Sequence, residues 1–245
     1  MLSAHHLWLS FAVTAVLYTA LFTQGMDQYS VPSQYASLAL KPLPVALLSM
    51  ALSSTPTAWS NPSLLYTIWG LRMSAAGDFY LDVSSAFKVV KKESFLIGLA
   101  CFFAAHVLYA LSNAQKITRH SIPAGLTAMV LPGVVLNLLT PHILGSTEDR
   151  QLYPFVLAYC VAISIMLYTA LARSQQYYYA TAVGGLLFCL SDAVLAFDRF
   201  VTFQSPVPWW WRHPKVIVMV LYFSAQAFIT VGEGRSSTKV VEKKR

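Results

Sequence analysis

Eight apolar stretches, each close to 20 residues long and separated by short polar breaks, leave this chain little choice of fold. They run at about 7–24, 33–52, 63–83, 94–113, 121–140, 152–172, 176–199 and 213–231. A helix of about 20 residues crosses a hydrocarbon core of roughly 30 Å, and within that core each backbone polar group must be satisfied inside its own segment. Each stretch is therefore predicted to be a membrane-spanning α-helix. Eight such helices use roughly 160 residues, so a chain of 245 residues keeps only short loops and a tail. Hydrophobic residues make up 56 % and charged residues 11 %, which excludes an ordinary soluble domain. The expectation is an all-α polytopic membrane protein. Eight helices over residues 1–231 would surround a polar intramembrane cavity, and residues 232–245 would form a flexible basic tail.

The breaks carry the prolines, charges and interfacial aromatics that end a span, as in "SSTPTAWSNPS", "SAFKVVKKES" and "FQSPVPWWWRHP". Trp209, Trp210 and Trp211 read as an aromatic belt anchoring the last helix. The first apolar run has no basic residue before it and no small-x-small cleavage pattern after it, so it reads as a retained helix. Both termini fall on one side. Lys116, Arg119, Arg173, Arg235, Lys239, Lys243, Lys244 and Arg245 share that side and outnumber the lysines and arginines opposite, which places the termini in the cytosol. In a eukaryotic cell the default membrane is the endoplasmic reticulum. The net charge of +7 gathers at the C-terminus, beside anionic lipid, and gives no nucleic-acid surface.

Cys101, Cys160 and Cys189 lie singly in three spans and read as buried thiols without a disulfide framework. The histidines show no ligand spacing, and no metal or other cofactor is expected. A nucleophile elbow and a phosphate-binding loop are both missing from the sequence, so serine-hydrolase and nucleotide-hydrolase mechanisms have no anchor.

Ionisable residues inside a span cost about 2.5–3.5 kcal/mol at the bilayer centre and usually face a bundle interior. Lys41, Arg72, Asp78, His106 and Asp192 are the candidates. Asp82, Asp198 and Arg199 sit closer to helix ends, where snorkelling makes them cheap. Asp78 and Asp192 share a local pattern: "GDFYL" at 77–81 and "SDAVL" at 191–195 are both small-Asp-x-x-Leu. They fall in the third and seventh spans, and an offset of four helices fits a parallel internal repeat. By helical rise, Asp78 lies about 22 Å and Asp192 about 24 Å from the starts of their spans. Lys41, about 12 Å along the oppositely directed second span, reaches a comparable level. One cation then faces two carboxylates, which suits an acid and base pair in one low-dielectric site.

Supporting polar residues lie on neighbouring faces. His106 and Tyr109 share a stripe of the fourth span. Ser74 lies one turn before Asp78, Ser191 precedes Asp192, and Tyr222 and Gln226 form an i, i+4 pair in the eighth. Interhelical hydrogen bonding is their ordinary explanation. Site membership is the alternative.

The ordered set "KPLP" (41–44), "GDFYL" (77–81), "FLIGLACFFAAHVLYAL" (95–111) and "GGLLFCLSDAVLAFDRF" (184–200) resembles the YhhN-like transmembrane family, which includes the lysoplasmalogenases. The resemblance extends over roughly residues 35 to 230. It implies eight helices and a vinyl-ether hydrolase acting on lysophospholipid in the membrane, with Asp78 and Asp192 at the family's acidic positions. Its products would be a fatty aldehyde and glycerophosphocholine or glycerophosphoethanolamine. The basic tail departs from the family pattern. Vinyl-ether hydrolysis needs a proton delivered to carbon and water added to an oxocarbenium ion, work that two carboxyl groups can do. A proton-coupled transporter would also bury Asp, Lys and His, but should break matching helices in both halves. A noncatalytic scaffold would use the polar groups as glue alone. The oligomeric state is not legible.

Overall fold

The computed structural model describes residues 4–22, 31–86, 91–117, 121–173, 178–201 and 213–242. Trp209, Trp210 and Trp211 lie outside them. The elements are α1 (Ala4–Phe22), α2 (Val31–Leu40), α3 (Leu43–Ser53), α4 (Pro62–Ala86), α5 (Lys91–Ala114), α6 (Ile122–Gly145), α7 (Tyr153–Ala172), α8 (Tyr178–Phe200) and α9 (Pro214–Glu242), with one 3-10 turn at Arg150–Leu152. No strand occurs among the described residues. All eight expected spans are helical over their described residues.

The second span is two helices because Pro42 and Pro44 lack the N–H groups that would bond back one turn. The chain stays nearly helical through the break, with Lys41 N–H donating to the Ser37 carbonyl and Ala46 N–H to that of Pro42. Among the described residues, seven segments are long and apolar enough to cross a membrane by composition. α4 is not one of them, because Arg72, Asp78 and Asp82 crowd its central turns. Its burial is supplied by neighbours. α5 packs along its length, while α2, α3 and α9 cover other parts of it. Arg72 lies over Trp69 at 4.7 Å from the ring centre and over Trp59 at 5.7 Å, a cation–π arrangement.

The other extensive pair is α8 with α9. Small residues permit both contacts, as is usual between helices in lipid. A Cβ on Gly77 would meet the Phe102 ring of α5 at 2.6 Å, and one on Gly184 would meet the Ala225 carbonyl oxygen and the Ile229 nitrogen of α9, both at 3.0 Å. The main core joins these pairs through Leu48, Leu71, Tyr109, Phe188 and Tyr222. A smaller apolar cluster forms around Leu139, Ile143 and Val156 on α6 and α7. α6 turns Leu126, Met129 and Val130 outward, where lipid is the natural solvent.

The last helix runs on through Glu242, past the end expected at residue 231, because it carries a buried anchor. Glu233 is 1 % exposed. Its carboxylate accepts from Arg173 Nη1 and Lys116 Nζ, each at 2.6 Å, and from Ser63 Oγ at 2.9 Å and Ser112 Oγ at 3.2 Å. The cluster ties α9 to α4, to α5 and the turn after it, and to the residue ending α7. Burial holds the Lys116 ammonium below its usual range; Glu233 opposes that shift and Arg173 adds to it.

Glu233→Gln leaves two buried cations facing a neutral partner and should destabilise the protein by about 3–5 kcal/mol, read as a lowered unfolding temperature in detergent micelles. Gly184→Ala forces a methyl group against the α9 backbone and should cost about 1–3 kcal/mol. Gly133, where an added Cβ would meet nothing within 4 Å among the described residues, is the control: Gly133→Ala should be neutral or stabilising by up to about 1 kcal/mol.

Candidate active site

Asp192 lies in the middle of α8, where its carboxylate is matched by donors from two other helices. Tyr159 of α7 donates its hydroxyl to Asp192 Oδ2 at 2.7 Å, and His106 Nε2 of α5 stands 3.1 Å from the same oxygen. His106 Nε2 and the Tyr159 hydroxyl are themselves 2.8 Å apart. An ionised carboxylate accepts only, so a neutral His106 carries its proton on Nε2, facing Asp192. Nδ1, which has no partner among the described residues, is then a bare lone pair. Edge contacts with Phe188 at 4.7 Å and Tyr159 at 5.1 Å fix the imidazole plane.

A cavity of about 90 Å³ between the helices reaches this cluster. Asp192 and Tyr159 form part of its wall, Leu99, Pro132 and Cys160 belong to its hydrocarbon lining, and Arg199 lies on it as well. Pro132 sits inside α6. The hollow thus differs from the polar cavity expected: it is an apolar slot with one carboxylate set in its side.

Asp78 does not line it. The carboxylate is 1 % exposed and accepts from the Tyr222 hydroxyl of α9 at 2.7 Å. Phe102 and Phe188 pack against Tyr222, with ring centres 5.9 and 5.5 Å away, and Phe102 also covers Gly77. The two carboxylates therefore do not share one hollow, because large aromatics from α5 and α8 fill the space on the Asp78 side. They remain within electrostatic reach of each other.

Lys41 is the second correction. Instead of pairing with Asp78 or Asp192, its Nζ binds Asp82 Oδ1 at 2.8 Å, and Ser37 Oγ donates to Asp82 Oδ2 at 2.7 Å. Asp82, expected to be cheap near a helix end, is buried. Its i, i+4 relation to Asp78 puts both on one face of α4, a signal that favoured burial of both. Asp198 and Arg199 are exposed.

The supporting residues divide into three groups. His106 serves Asp192. Tyr109, one turn on, donates to Gln226 Oε1 at 2.7 Å and lies 3.3 Å from Ser74 Oγ, on the Asp78 side. Ser191 donates to the Val218 carbonyl at 3.1 Å and is interhelical glue. Tyr159 was not singled out from sequence. Depth was the available signal: it lies about 9 Å from the start of α7, against about 12 Å from the end of α8 for Asp192.

The pairing is crosswise. Asp78 on α4 is answered from α9, and Asp192 on α8 is answered from α5. Each acid-bearing span thus gives its carboxylate to the packing partner of the other, the arrangement a parallel duplication of four helices would produce.

Comparison with known proteins finds relatives over most of the chain. The chain is 32 % identical to lysoplasmalogenase TMEM86B of Sus scrofa over 94 % of its own length and 87 % of that protein's. The figures for lysoplasmalogenase TMEM86B of Homo sapiens are the same. It is 31 % identical to a lysoplasmalogenase of Mycobacterium tuberculosis over 74 % of its own length and 67 % of that protein's. No solved structure matches. The YhhN family model matches residues 36–233, a range that runs from α2 to the buried Glu233 and contains every group of the cluster around Asp192, so this integral membrane protein belongs to the YhhN family.

Proposed function

We propose that the protein is a lysoplasmalogenase-type hydrolase that cleaves the vinyl ether bond of 1-alkenyl lysophospholipids, releasing a fatty aldehyde and glycerophosphocholine or glycerophosphoethanolamine. The observation that carries this reading is an apolar cavity, inside a bundle of membrane spans, that reaches the Asp192 carboxyl with its histidine and tyrosine partners. Its hydrocarbon lining suits an aliphatic chain. The relatives named lysoplasmalogenase support the same chemistry.

Asp192 is the carboxyl group that meets the substrate. In its acid form it delivers a proton to the vinyl carbon remote from oxygen, and the oxygen lone pair completes an oxocarbenium ion. The carboxylate left behind faces that cation. Water adds to the cationic carbon while Asp192 takes up a proton, and the resulting hemiacetal collapses to aldehyde and alcohol. Proton and electron balance close without a covalent intermediate. Tyr159 and His106 aim the carboxylate and stabilise its charged phase, as donors to one of its oxygens. Asp78 acts from behind the aromatic layer: its carboxyl group, held by Tyr222, sets the electrostatic surroundings of Asp192 without touching the reacting carbon. The Lys41–Asp82 pair fixes the charge balance beside it. The loop charges put both termini in the cytosol, and in a eukaryotic cell the working membrane is the endoplasmic reticulum.

The test is release of long-chain aldehyde by purified protein in detergent from alkenyl, alkyl and acyl lysophospholipids run in parallel, with turnover of the alkenyl ether alone. Asp192→Asn should lower kcat by about 10²–10⁴ at unchanged folded yield. Full activity in that variant would discard the mechanism. Asp78→Asn should lower kcat by about 10² with KM unchanged, whereas a purely structural role would lower folded yield and leave the kinetics of the surviving protein alone.

A further inference from the structure

The cavity has a second charged group that the reaction does not use. Arg199 lines the same slot as Asp192, seven residues along α8 and therefore two turns away on the same face. Its guanidinium lies over the rings of Phe95 at 5.3 Å and Phe200 at 5.2 Å. Asp149, just before the 3-10 turn, accepts from its Nη2 at 2.9 Å. Asp149 is held in turn by Ser146, whose hydroxyl accepts from its backbone N–H at 3.2 Å and donates to its carboxylate at 3.3 Å. A guanidinium has five N–H donors, and Asp149 engages one nitrogen. The side chain is 38 % exposed. A surface ion pair alone would be worth little. This one is clamped by two rings and a braced carboxylate, at the edge of a slot that is otherwise largely hydrocarbon, and among the described residues only Asp149 accepts a hydrogen bond from it.

We propose that Arg199 binds the phosphate of the lysophospholipid and sets how deeply the alkenyl chain enters. The assignment rests on the reading of the cavity as the substrate site and adds a ruler to it. Seven residues of helix separate Asp192 from Arg199 by about 10 Å. In the substrate, six bonds separate the vinyl carbon on the ether oxygen from phosphorus, roughly 7–8 Å when extended. A contact of about 3 Å between guanidinium nitrogen and phosphate oxygen makes up the difference. With phosphate on Arg199, the vinyl ether falls beside Asp192 and the hydrocarbon continues inward. Arginine suits this role because its planar fork matches phosphate geometry. Eight spans put Arg199 on the side opposite the termini, so the headgroup would enter from that face.

The experiment measures binding apart from turnover. Non-hydrolysable 1-alkyl lysophosphocholine and the corresponding 1-alkylglycerol are titrated against wild type, Arg199→Ala, Arg199→Lys and Asp149→Asn in detergent, and hydrolysis of the 1-alkenyl lysophospholipid is followed in parallel. Wild type should prefer the phosphate-bearing ligand. Arg199→Ala should weaken that ligand alone, roughly 10- to 100-fold, raise KM, and lower kcat as well because the vinyl ether is no longer held in register with Asp192. Arg199→Lys, which keeps the charge and loses the fork, should fall between, and it answers the question if the alanine variant does not fold. Asp149→Asn should weaken the phosphate ligand less than Arg199→Ala does. Phosphate preference that survives both Arg199 variants, or equal weakening of both ligands, would overturn the assignment. Phosphate-selective binding through Arg199 without hydrolysis in the wild type would reject the proposed reaction and leave Arg199 standing.

Discussion

A carboxylate inside hydrocarbon must bring its own donors, and the bundle is arranged around that need. Asp78, Asp82 and Asp192 are each met by hydroxyl, ammonium or imidazole groups from other helices. Because those donors sit on α2, the α2–α3 break, α5, α7 and α9, the polar contacts fix helix register as well as charge. Leucine packing alone does not discriminate one register from another in lipid, since the tails are as apolar as the side chains. Near the opposite end of the bundle Glu233 repeats the device, with Arg173 and Lys116 as its cations.

Much of this was legible because lipid imposes strong rules. Length and hydropathy placed the eight spans, and Pro42 and Pro44 marked the break in the second. The depths of Asp78 and Asp192 followed from helical rise. What sequence could not supply was azimuth. Lys41 stood at the right level for either carboxylate, yet the direction it leaves the kink selects Asp82. Asp78 and Asp192 matched in depth, yet the rings of Phe102 and Phe188 stand on the side where a shared hollow was expected. Glu233 escaped notice for another reason: it lies beyond the point where apolar residues cease, and only the Arg173 and Lys116 side chains, from distant segments, explain why the helix continues.

Tyr159 illustrates the same limit. Thirteen tyrosines in a membrane chain are mostly interfacial candidates, and only the approach of α7 to α8 distinguishes this one by bringing its hydroxyl onto Asp192. The family match over residues 36–233 adds no azimuth either. It confirms that the parts belong together, while their facing directions come from the packing.

The two small-Asp-x-x-Leu segments began as equivalents and end as different environments, and the residue before each aspartate shows how. On α4 it is Gly77, and the missing side chain lets the Phe102 ring lie against the helix; that ring helps to close Asp78 in. On α8 it is Ser191, whose hydroxyl is spent on the Val218 carbonyl of α9, drawing that flank of α8 toward its partner. The Asp192 flank stays open to a slot bounded in part by Pro132 of α6. A symmetric pair of carboxylates would offer substrate two competing sites in one bundle. Sealing one with an aromatic ring and leaving the other beside a cavity leaves Asp192, and not Asp78, as the carboxyl group of the pair that a molecule in the slot can reach.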